Sequence, residues 1–362
     1  MTHHIMFDAR FCSGKPHGIA RVTHKLLEHL LPKSPHCRFT VLISNDHLKN
    51  KLPAQPSLRF IKANAKPYSI AEQWELPRII RREKPDIFHS ASFTMPLFSP
   101  APVIVTIFDL IPVLFPKFFP LRYRIYYRIM VRRFCKRAEK IFTSSDNSRT
   151  DLMNLYGVPA EKIKVIHCAA SDNREPSHTK KPNGTPYIMY MGNTMHHKNF
   201  FRAVEAFVLF KQRYTEQPVT LKVVGIPHAF YDSSRIKGTP CVDIIENVSD
   251  PQLYELMAHA SVFFFPSLYE GFGLPPLEAM NLGTPVVASC TSSLPETLSD
   301  AYLPADPYNP REMADALYSV MTDSALRESL IKKGRLHALN YSWNTAAEKV
   351  IELYKEILQW HE

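Results

Sequence analysis

Short apolar runs alternate with amphipathic segments along most of this chain, and the alternation predicts its fold. The runs in the first half are HHIMFDA, RFTVLIS, DIFHSA, PVIVTIFD, KIFTSS and IKVIHC, and those in the second half are YIMYMGN, TLKVVG, VDIIENV, SVFFFPS and PVVASC. Between them lie segments such as IARVTHKLLEHLL and NFFRAVEAFVLFKQRY, whose apolar positions recur at helical spacing. Strands that alternate with helices predict α/β domains with parallel sheets.

A polar segment rich in Pro and Gly, SDNREPSHTKKPNGTP at 171–186, separates the two series and is typical of a linker. We therefore predict one Rossmann-like domain over 1–170 and a second over 187–340. A final helix lies within 341–362. Because open α/β sheets bind ligands beyond the carboxyl ends of their strands, we expect the two domains to face each other across a cleft that the motif loops line.

The most informative stretch is PSLYEGFGLPPLEAM, in which Glu270 and Glu278 flank a turn with two glycines. The apolar run before it and the helical pattern after it predict strand, tight loop and helix start. Free N–H groups and the positive end of the helix dipole meet at a helix start. Gly271 and Gly273 are expected to leave the backbone of 271–274 uncovered, so that a phosphate or a hydroxyl can approach.

Both carboxylates can reach one ligand, because Glu278 lies about one helical turn inside the helix. Carboxylates accept hydrogen bonds from sugar hydroxyls, whereas bare amides suit phosphate. The stretch therefore predicts a site for a nucleotide sugar. The plainer alternative is that Glu270 caps the helix and Glu278 is a solvated helix residue.

The motifs resemble those of the family-4 retaining glycosyltransferases over nearly the whole chain. The matching segments, in the family's order, are HGIAR, FHSASFTMP, VTIFDLIP, MGNTMHHKNF, the Glu270 stretch with the following GTPVVASCTSSLPETLSDAYLPADPYNP, and YSWNTAAEKV. The resemblance implies the GT-B fold, with the last helix returning to the first domain. MGNTMHHKN and TIFDLIPV look most like mannosyltransferases that build surface polysaccharides such as lipopolysaccharide, which implies GDP-mannose as the donor.

The resemblance also implies roles for residues of the second domain. Glu270 and the backbone of 271–274, with Phe272 and Leu274, hold the donor sugar and diphosphate, and Glu278 holds the ribose. Lys198 neutralises the leaving diphosphate. Asn193 stands where the family usually has an Arg, so Lys198, helped by His196 or His197, has to supply the charge. Val248 contacts the base through its main chain.

In the first domain the resemblance points to Gly18, His89 and Asp109. Gly18 lies at a helix start, with His17 in place of a second glycine, and His89 is expected to contact the acceptor or donor sugar. Phe108 replaces the family's His. Either Asp109 or His89 substitutes for it, or no separate base is needed, because in same-face retaining transfer the leaving phosphate oxygen can take the proton.

Cysteine and histidine spacing does not indicate a metal site. The six cysteines, at 12, 37, 135, 168, 241 and 290, form no C-x-x-C pair and are predicted to be reduced thiols. The adjacent pairs His3–His4 and His196–His197 lack the i,i+4 spacing of helical metal ligands, and no D-x-D metal motif lies near the predicted donor site. We expect metal-independent chemistry with no cofactor besides the nucleotide-sugar donor.

Much of the formal charge of +10 is concentrated at 115–137, where arginines alternate with aromatic and aliphatic residues. Three interpretations stay open: a helix packed by its apolar face with solvated arginines, a helix on an anionic membrane surface, and a nucleic-acid site. The last is not expected, because no nucleic-acid fold signature accompanies the charge.

The strongly apolar segment 101–121 is not expected to span a membrane, because Asp109, Lys117 and three prolines interrupt it. MTHHIMFDAR does not resemble a signal peptide. We therefore expect a cytoplasmic enzyme, peripheral on the inner face of the cytoplasmic membrane, that transfers a hexose, mannose in the first instance, to a lipid-linked or growing saccharide. The alternatives are a nucleotide-sugar epimerase and a non-catalytic sugar- or membrane-binding protein of the same fold.

Overall fold

The computed structural model describes residues 3–14, 18–170, 184–215, 218–226 and 241–359. The chain forms two compact units, which we call unit 1 (Met1–Cys168 with Ser342–Glu362) and unit 2 (Ala169–Tyr341). The predicted linker at 171–186 lies outside the described residues except for its last three positions. Each unit contains a parallel sheet and helices, so the predicted α/β fold class is confirmed.

The described residues of unit 1 form a sheet of seven parallel strands. They are β1 (His3–Asp8), β2 (Cys37–Ile43), β3 (Leu58–Lys62), β4 (Ile87–Ser90), β5 (Val103–Thr106), β6 (Lys140–Thr143) and β7 (Ile163–Val165). Their order across the sheet is β3-β2-β1-β4-β5-β6-β7. The strand order therefore reverses between β1 and β4, which is the position where open α/β sheets place ligands.

Helices of unit 1 come from both ends of the chain. They are α1 (Gly18–Leu30), α2 (Glu72–Glu83), α3 (Ile111–Leu114), α4 (Leu121–Ile125), α5 (Arg132–Arg137), α6 (Asp146–Tyr156) and the C-terminal helix α13 (Trp343–Leu358). The last of these packs against α1 within unit 1, as the family resemblance implied. Its inward side carries Ala347, Val350 and Leu353, all fully buried.

The basic segment 115–137 is not one regular helix. A π-helical turn at Tyr126–Val131 separates α4 from α5, and a short 3-10 turn at Pro116–Phe118 precedes them. The strongly apolar segment 101–121, which overlaps the start of the basic segment, forms β5, α3 and the 3-10 turn at Pro116–Phe118. No helix among the described residues is both long and apolar enough to cross a membrane.

Over its described residues, unit 2 repeats the same winding with a six-stranded sheet. Its strands are β8 (Tyr187–Met191), β9 (Thr220–Val224), β10 (Val242–Ile245), β11 (Val262–Phe265), β12 (Val286–Ser289) and β13 (Leu303–Ala305), in the order β10-β9-β8-β11-β12-β13. The helices in the part of unit 2 that the structure describes are α7 (Phe200–Arg213), α8 (Asp250–His259), α9 (Leu274–Asn281), α10 (Leu294–Leu298), α11 (Pro310–Thr322) and α12 (Ser324–Ala338). The strand order reverses between β8 and β11.

Apolar side chains of α7 and α11 fill the core on one side of this sheet. Phe200, Phe207 and Phe210 of α7 are almost fully buried, in one cluster with Leu317 and Val320 of α11. This packing fixes the start of α7, and with it the loop that follows β8. The position of that loop decides where the charged residues of the candidate site lie.

Candidate active site

Lys198 and Glu270 meet at the point where the strand order of unit 2 reverses. Lys198 follows β8 and Glu270 follows β11, and these two strands are neighbours in the sheet. The Lys198 Nζ lies 2.7 Å from the Glu270 Oε1 and 5.4 Å from the centre of the Phe265 ring. Both side chains keep some solvent access, with 19% of Lys198 and 11% of Glu270 exposed. The two residues that the sequence placed on separate motifs therefore form one charged site.

The backbone around Lys198 is held by hydrogen bonds to neighbouring loops. A 3-10 turn at His196–Lys198 ends at Asn199, whose φ of 59° lies in the left-handed region. The Asn199 amide donates to the carbonyl oxygens of Pro266 (3.0 Å) and Pro307 (2.7 Å). The Leu268 N–H donates to the His197 carbonyl at 2.7 Å. These bonds tie the loop after β8 to the loop that carries Glu270, so the pair is positioned before any ligand arrives.

Hydroxyl side chains after β12 hold the Glu270 loop from the other side. The Glu270 N–H donates to the Ser292 hydroxyl at 3.0 Å, and the Ser293 hydroxyl donates to the Glu270 carbonyl at 2.9 Å. The Phe272 carbonyl accepts from Ser293 at 3.0 Å and from Thr297 at 2.7 Å. Sequence reasoning matched this SSLPET segment to the family but assigned none of its residues. Its signal was the run of small hydroxyl residues after β12.

The expectation that 271–274 presents uncovered backbone is wrong for its first three residues. Gly271, Phe272 and Gly273 are buried, and only Leu274 is half-buried. The hydroxyls described above cover the carbonyls, and Leu294 packs so tightly that a Cβ on Gly273 would lie 2.7 Å from its Cδ2. Gly273 also has a φ of 105°. A glycine is therefore required here for backbone conformation and packing, whatever ligand binds.

Helix α9 also offers fewer free N–H groups than a helix start normally does. Gly273 precedes the helix, Leu274 begins it, and Pro275 and Pro276 follow, neither of which has an N–H. The Leu277 N–H already points to the Gly273 carbonyl at 3.4 Å. The N–H groups that remain at this helix start are those of Gly273 and Leu274, so the positive charge of Lys198 is the more important for binding an anion.

Glu278 lies one turn inside α9, as predicted, but it is buried rather than solvated. Tyr254 of α8 donates its hydroxyl to the Glu278 Oε1 at a long 3.4 Å. Sequence reasoning did not single out Tyr254, because a lone tyrosine on a helix carries no motif. Val248, half-buried, lies just before α8, whose first turn is closed by the Ser249 N–H donating to the Gln252 side chain at 3.1 Å.

The histidines beside Lys198 do not add positive charge near neutral pH. Burial lowers the pKa of His197 to about 4, helped by the nearby Lys198. Burial, and then Arg202, also lowers the pKa of His196. Asn193 is exposed, and its side-chain oxygen accepts from the Met195 N–H at 3.0 Å, which shapes the loop. Lys198 is thus the cation that the loop after β8 brings to Glu270.

His89, at the end of β4 in unit 1, cannot contact a sugar as predicted. It is fully buried, its Nδ1 lies 2.7 Å from the Tyr354 hydroxyl oxygen and its Nε2 lies 3.2 Å from the Thr106 hydroxyl oxygen. Burial lowers its pKa to about 3. The ring therefore connects the C-terminal helix to the sheet, and neither nitrogen remains for proton transfer to a substrate.

Gly18 and Asp109 keep more solvent contact than His89. Gly18 is exposed at the first position of α1, and a Cβ there would meet no atom within 4 Å. Asp109 is half-buried, and its Oδ1 accepts from the Ile111 N–H at 3.0 Å at the start of α3. Phe108 makes an edge contact with Phe142. The roles given to Gly18 and Asp109 stay predictions.

Two family models match consecutive parts of the chain. The model described as Glycosyltransferase Family 4 matches residues 16–174, and the one described as Glycosyl transferases group 1 matches residues 171–337. Together they account for most of both units. The chain therefore belongs to this family of glycosyltransferases, as its motifs indicated.

Curated relatives align with roughly the same share of the chain. An O-antigen chain mannosyltransferase B from Escherichia coli is 31% identical over 234 residues, which are 60% of this chain and 61% of that protein. A D-inositol 3-phosphate glycosyltransferase from Corynebacterium urealyticum is 24% identical over 62% of this chain and 60% of its own length. The chain thus spans about three fifths of the length of these relatives.

Solved structures show the same fold over almost the whole chain. A sucrose-phosphate synthase from Thermosynechococcus elongatus superimposes with a TM-score of 0.79 at 19% identity, covering 99% of both chains. WaaG, a glycosyltransferase involved in lipopolysaccharide biosynthesis, gives a TM-score of 0.74 at 16% identity, covering 97% of this chain and 99% of its own. At these identities the likeness shows the GT-B fold alone.

Proposed function

We propose that this protein is a retaining glycosyltransferase that moves a hexose from a nucleotide-diphosphate sugar to a saccharide. One observation carries the proposal: Lys198 and Glu270 lie 2.7 Å apart where the strand order of unit 2 reverses. A cation there stabilises the diphosphate as its charge develops, and the carboxylate accepts hydrogen bonds from sugar hydroxyls. The family membership of the chain supports this assignment.

In the structure the two charged side chains neutralise each other. A bound nucleotide sugar offers each of them another partner, since its phosphates attract Lys198 and its hydroxyls donate to Glu270. The charge pair thus keeps both groups in place until the donor replaces the contact between them. Glu278, with Tyr254 beside it, is proposed to take the ribose hydroxyls, and Val248 the base.

Proton transfer in this mechanism does not require His89. The leaving phosphate oxygen takes the acceptor's proton, and the enzyme contributes orientation and charge stabilisation. Asp109 is the remaining side chain proposed to assist the acceptor. We also propose that transfer is independent of divalent metal, because Lys198 supplies the positive charge at the diphosphate; activity should then persist in excess chelator.

Mannose is the proposed sugar and GDP-mannose the proposed donor. Two of the relatives, the O-antigen chain mannosyltransferase B and the serotype-specific mannosyltransferase WbdA of Escherichia coli, are named as mannosyltransferases. The proposed acceptor is a lipid-linked or growing saccharide in surface polysaccharide synthesis. The basic segment 115–137 is proposed to hold the enzyme at an anionic membrane surface where such acceptors lie.

The test is transfer of labelled sugar from GDP-mannose and other nucleotide sugars to a saccharide acceptor pool. Glu270→Ala should abolish transfer, whereas Asp300→Ala, which removes an exposed carboxylate paired with Lys333 in the same unit, should not. Unchanged turnover in Glu270→Ala would refute the mechanism. Tight binding of nucleotide sugar without transfer to any acceptor would favour a non-catalytic protein, and acceptor-independent isomerisation of the sugar would favour an epimerase.

A further inference from the structure

We propose that unit 1 binds an anionic membrane through a surface that extends beyond segment 115–137 to the start of α2. The docking surface consists of seven side chains: Ile70, Trp74, Phe98, Phe118, Leu121, Ile125 and Ile129. This proposal rests on the membrane attachment of segment 115–137 proposed above. It adds three side chains from outside that segment, Ile70, Trp74 and Phe98. Their contribution can be measured separately from sugar transfer.

Exposure singles out these side chains. Ile70 is 81% exposed, Trp74 66% and Phe98 72%, the three highest values among the large apolar side chains described in the chain. Among the described residues of unit 1, the only other large apolar side chains of comparable exposure are Met153 and Leu155 on α6, and both are less exposed than these seven. An apolar cluster of this kind normally marks a binding surface.

Contacts join the three segments that carry the surface. The side-chain amide of Gln73, next to Trp74, donates to the Met95 carbonyl and accepts from the Leu97 N–H at 2.8 Å. Arg137 donates to the Leu97 carbonyl and lies 4.6 Å from the centre of the Phe98 ring. The start of α2 is thereby connected to the loop before β5 and to the end of the basic segment.

Tyr68 makes a second connection. Its ring lies 5.1 Å from that of Tyr126 and 6.4 Å from that of Tyr123, measured between ring centres. The Gln73 N–H donates to the Ile70 carbonyl at 3.0 Å, and the Glu75 N–H to the Ala71 carbonyl at 3.0 Å, so Ile70 and Trp74 lie about one helical turn apart. Residues distant in sequence therefore adjoin within unit 1, which sequence periodicity alone does not reveal.

Cations surround the apolar side chains. Residues 110–138 contain eight Lys and Arg and no acidic residue. Within the described part of the chain, no carboxylate forms an ion pair with Arg124, Arg128, Arg132 or Arg133, all exposed. On α2, Arg78 and Arg81 follow Trp74 at helical spacing and are exposed, whereas Glu72 is buried and Glu75 accepts from the Asn64 and Ala65 N–H groups.

This combination matches an anionic bilayer better than another macromolecule. Trp and large aliphatic side chains settle at the boundary between head groups and acyl chains, and Lys and Arg pair with anionic head groups. A nucleic acid would match the cations but would leave exposed Ile and Leu without a partner. A second copy of unit 1 would bring like charges together.

Fluorescence of Trp74 is the direct test, because the chain has three tryptophans, at 74, 343 and 360. Trp343→Phe with Trp360→Phe leaves Trp74 as the reporter. Trp343 is buried but its indole N–H lacks a partner among the described residues, so Phe suits that position. Vesicles of phosphatidylcholine with phosphatidylglycerol should shift the Trp74 emission to the blue, and brominated lipid should quench it. Vesicles of phosphatidylcholine alone should do neither.

Cosedimentation with the same vesicles provides a matched comparison. Ile70→Ser with Trp74→Ser should weaken binding about tenfold, from the loss of two partly inserted apolar side chains. Leu336→Ser with Leu339→Ser removes two similarly exposed leucines of unit 2 and should leave binding unchanged. Raising the salt concentration should weaken binding of all variants.

Several results would overturn the proposal. Binding with unshifted, unquenched Trp74 would confine attachment to segment 115–137, and no binding to anionic vesicles would remove attachment altogether. A Trp74 shift that grows with protein concentration without vesicles would assign the surface to a second copy of the chain. Transfer from nucleotide sugar to a water-soluble acceptor is measured without vesicles, so its failure would refute the proposed function and leave this surface untouched.

Discussion

The two sheets reverse strand order in the same way but use the charged residues at that position differently. In unit 2, the side chains of Lys198 and Glu270 are 19% and 11% exposed to solvent. In unit 1, Arg10 follows β1, and its guanidinium bonds Asp8 at 2.7 Å and Glu72 at 3.2 Å with all three side chains at most 1% exposed. The Ala65 carbonyl accepts a further hydrogen bond from Arg10 at 2.8 Å.

This difference separates a structural network from a candidate binding site. Arg10 directs its donors to protein acceptors, and Thr94 donates to Glu72 at 2.5 Å, so the network of unit 1 is closed to a ligand. The pair in unit 2 has one ion-pair contact between its members, and each of the two side chains keeps a small part of its surface in solvent. Strand order thus indicates the edge where ligands bind, whereas exposure indicates which charged residues are available there.

The largest effect is expected for stability when the buried network is broken. Arg10→Met removes the cation between two buried carboxylates, so the free energy of unfolding should fall by about 3–5 kcal/mol. Chemical denaturation monitored by circular dichroism measures the change. Arg213→Met, which breaks the exposed pair with Asp315 in unit 2, serves as the control and should cost little. Equal losses in both variants would contradict the comparison.

Breaking the pair in unit 2 should instead affect activity. Lys198→Met is expected to lower kcat/KM for the nucleotide sugar about 10²–10³-fold, because the charge that develops on the leaving diphosphate loses its cation. Its melting temperature should fall less than that of Arg10→Met, since Glu270 keeps 11% side-chain exposure whereas Asp8 and Glu72 are at most 1% exposed. Arg213→Met is again the control and should keep full activity. A stable, fully active Lys198→Met protein would remove Lys198 from the mechanism.

Asn199 tests whether the loop after β8 is held as the structure shows. Asn199→Ala removes donors to two backbone carbonyls and places a Cβ residue at a φ of 59°, so the free energy of unfolding should fall by about 2 kcal/mol. Asn199→Gly suits the backbone conformation and should cost less. A larger loss in the glycine variant than in the alanine variant would show that backbone strain at this position is not a cause.

His89 should contribute a pH dependence to the stability of unit 1. Its pKa is about 3 in the folded protein and near 6.5 when unfolded, so the unfolded chain binds a proton that the folded chain does not. The contribution of His89 to the free energy of unfolding is therefore fully present above pH 6.5. As the pH is lowered from 6.5 to 3, this contribution falls by about 1.4 kcal/mol per pH unit. His89→Gln should flatten the curve of unfolding free energy against pH. An unchanged slope would place the titration on other histidines.

The sequence predicted the parallel sheets, most of their helices and the strand-loop-helix geometry of the Glu270 stretch, but not α10, α11 or α12. Those features come from short apolar runs and Gly or Pro signals, which are local. It missed β3 and β13: β3 lies at the edge of its sheet with no fully buried residue, and β13 is three residues long and contains Pro304. Neither segment has the continuous apolar run of a buried strand.

Side-chain environment was less predictable, because it depends on residues distant in sequence. His89 was predicted to contact a sugar, but its Nδ1 is hydrogen-bonded to the hydroxyl of Tyr354, which lies 265 positions later in the sequence. The glycines of the Glu270 stretch were expected to uncover the backbone, but Leu294 packs against Gly273. The proximity of Lys198 to Glu270 required the order of strands in the sheet, which the sequence suggested only through its resemblance to a family.

Binding of a nucleotide sugar at the Lys198–Glu270 pair is measured most directly by the shift in melting temperature. Nucleoside diphosphates and their sugars, GDP-mannose first, should raise the melting temperature of the wild type, because a ligand that binds the folded state stabilises it. The shift should largely disappear in Lys198→Met and persist in Arg213→Met. An equal shift in all three proteins, or none with any nucleotide sugar, would contradict the assignment of the site.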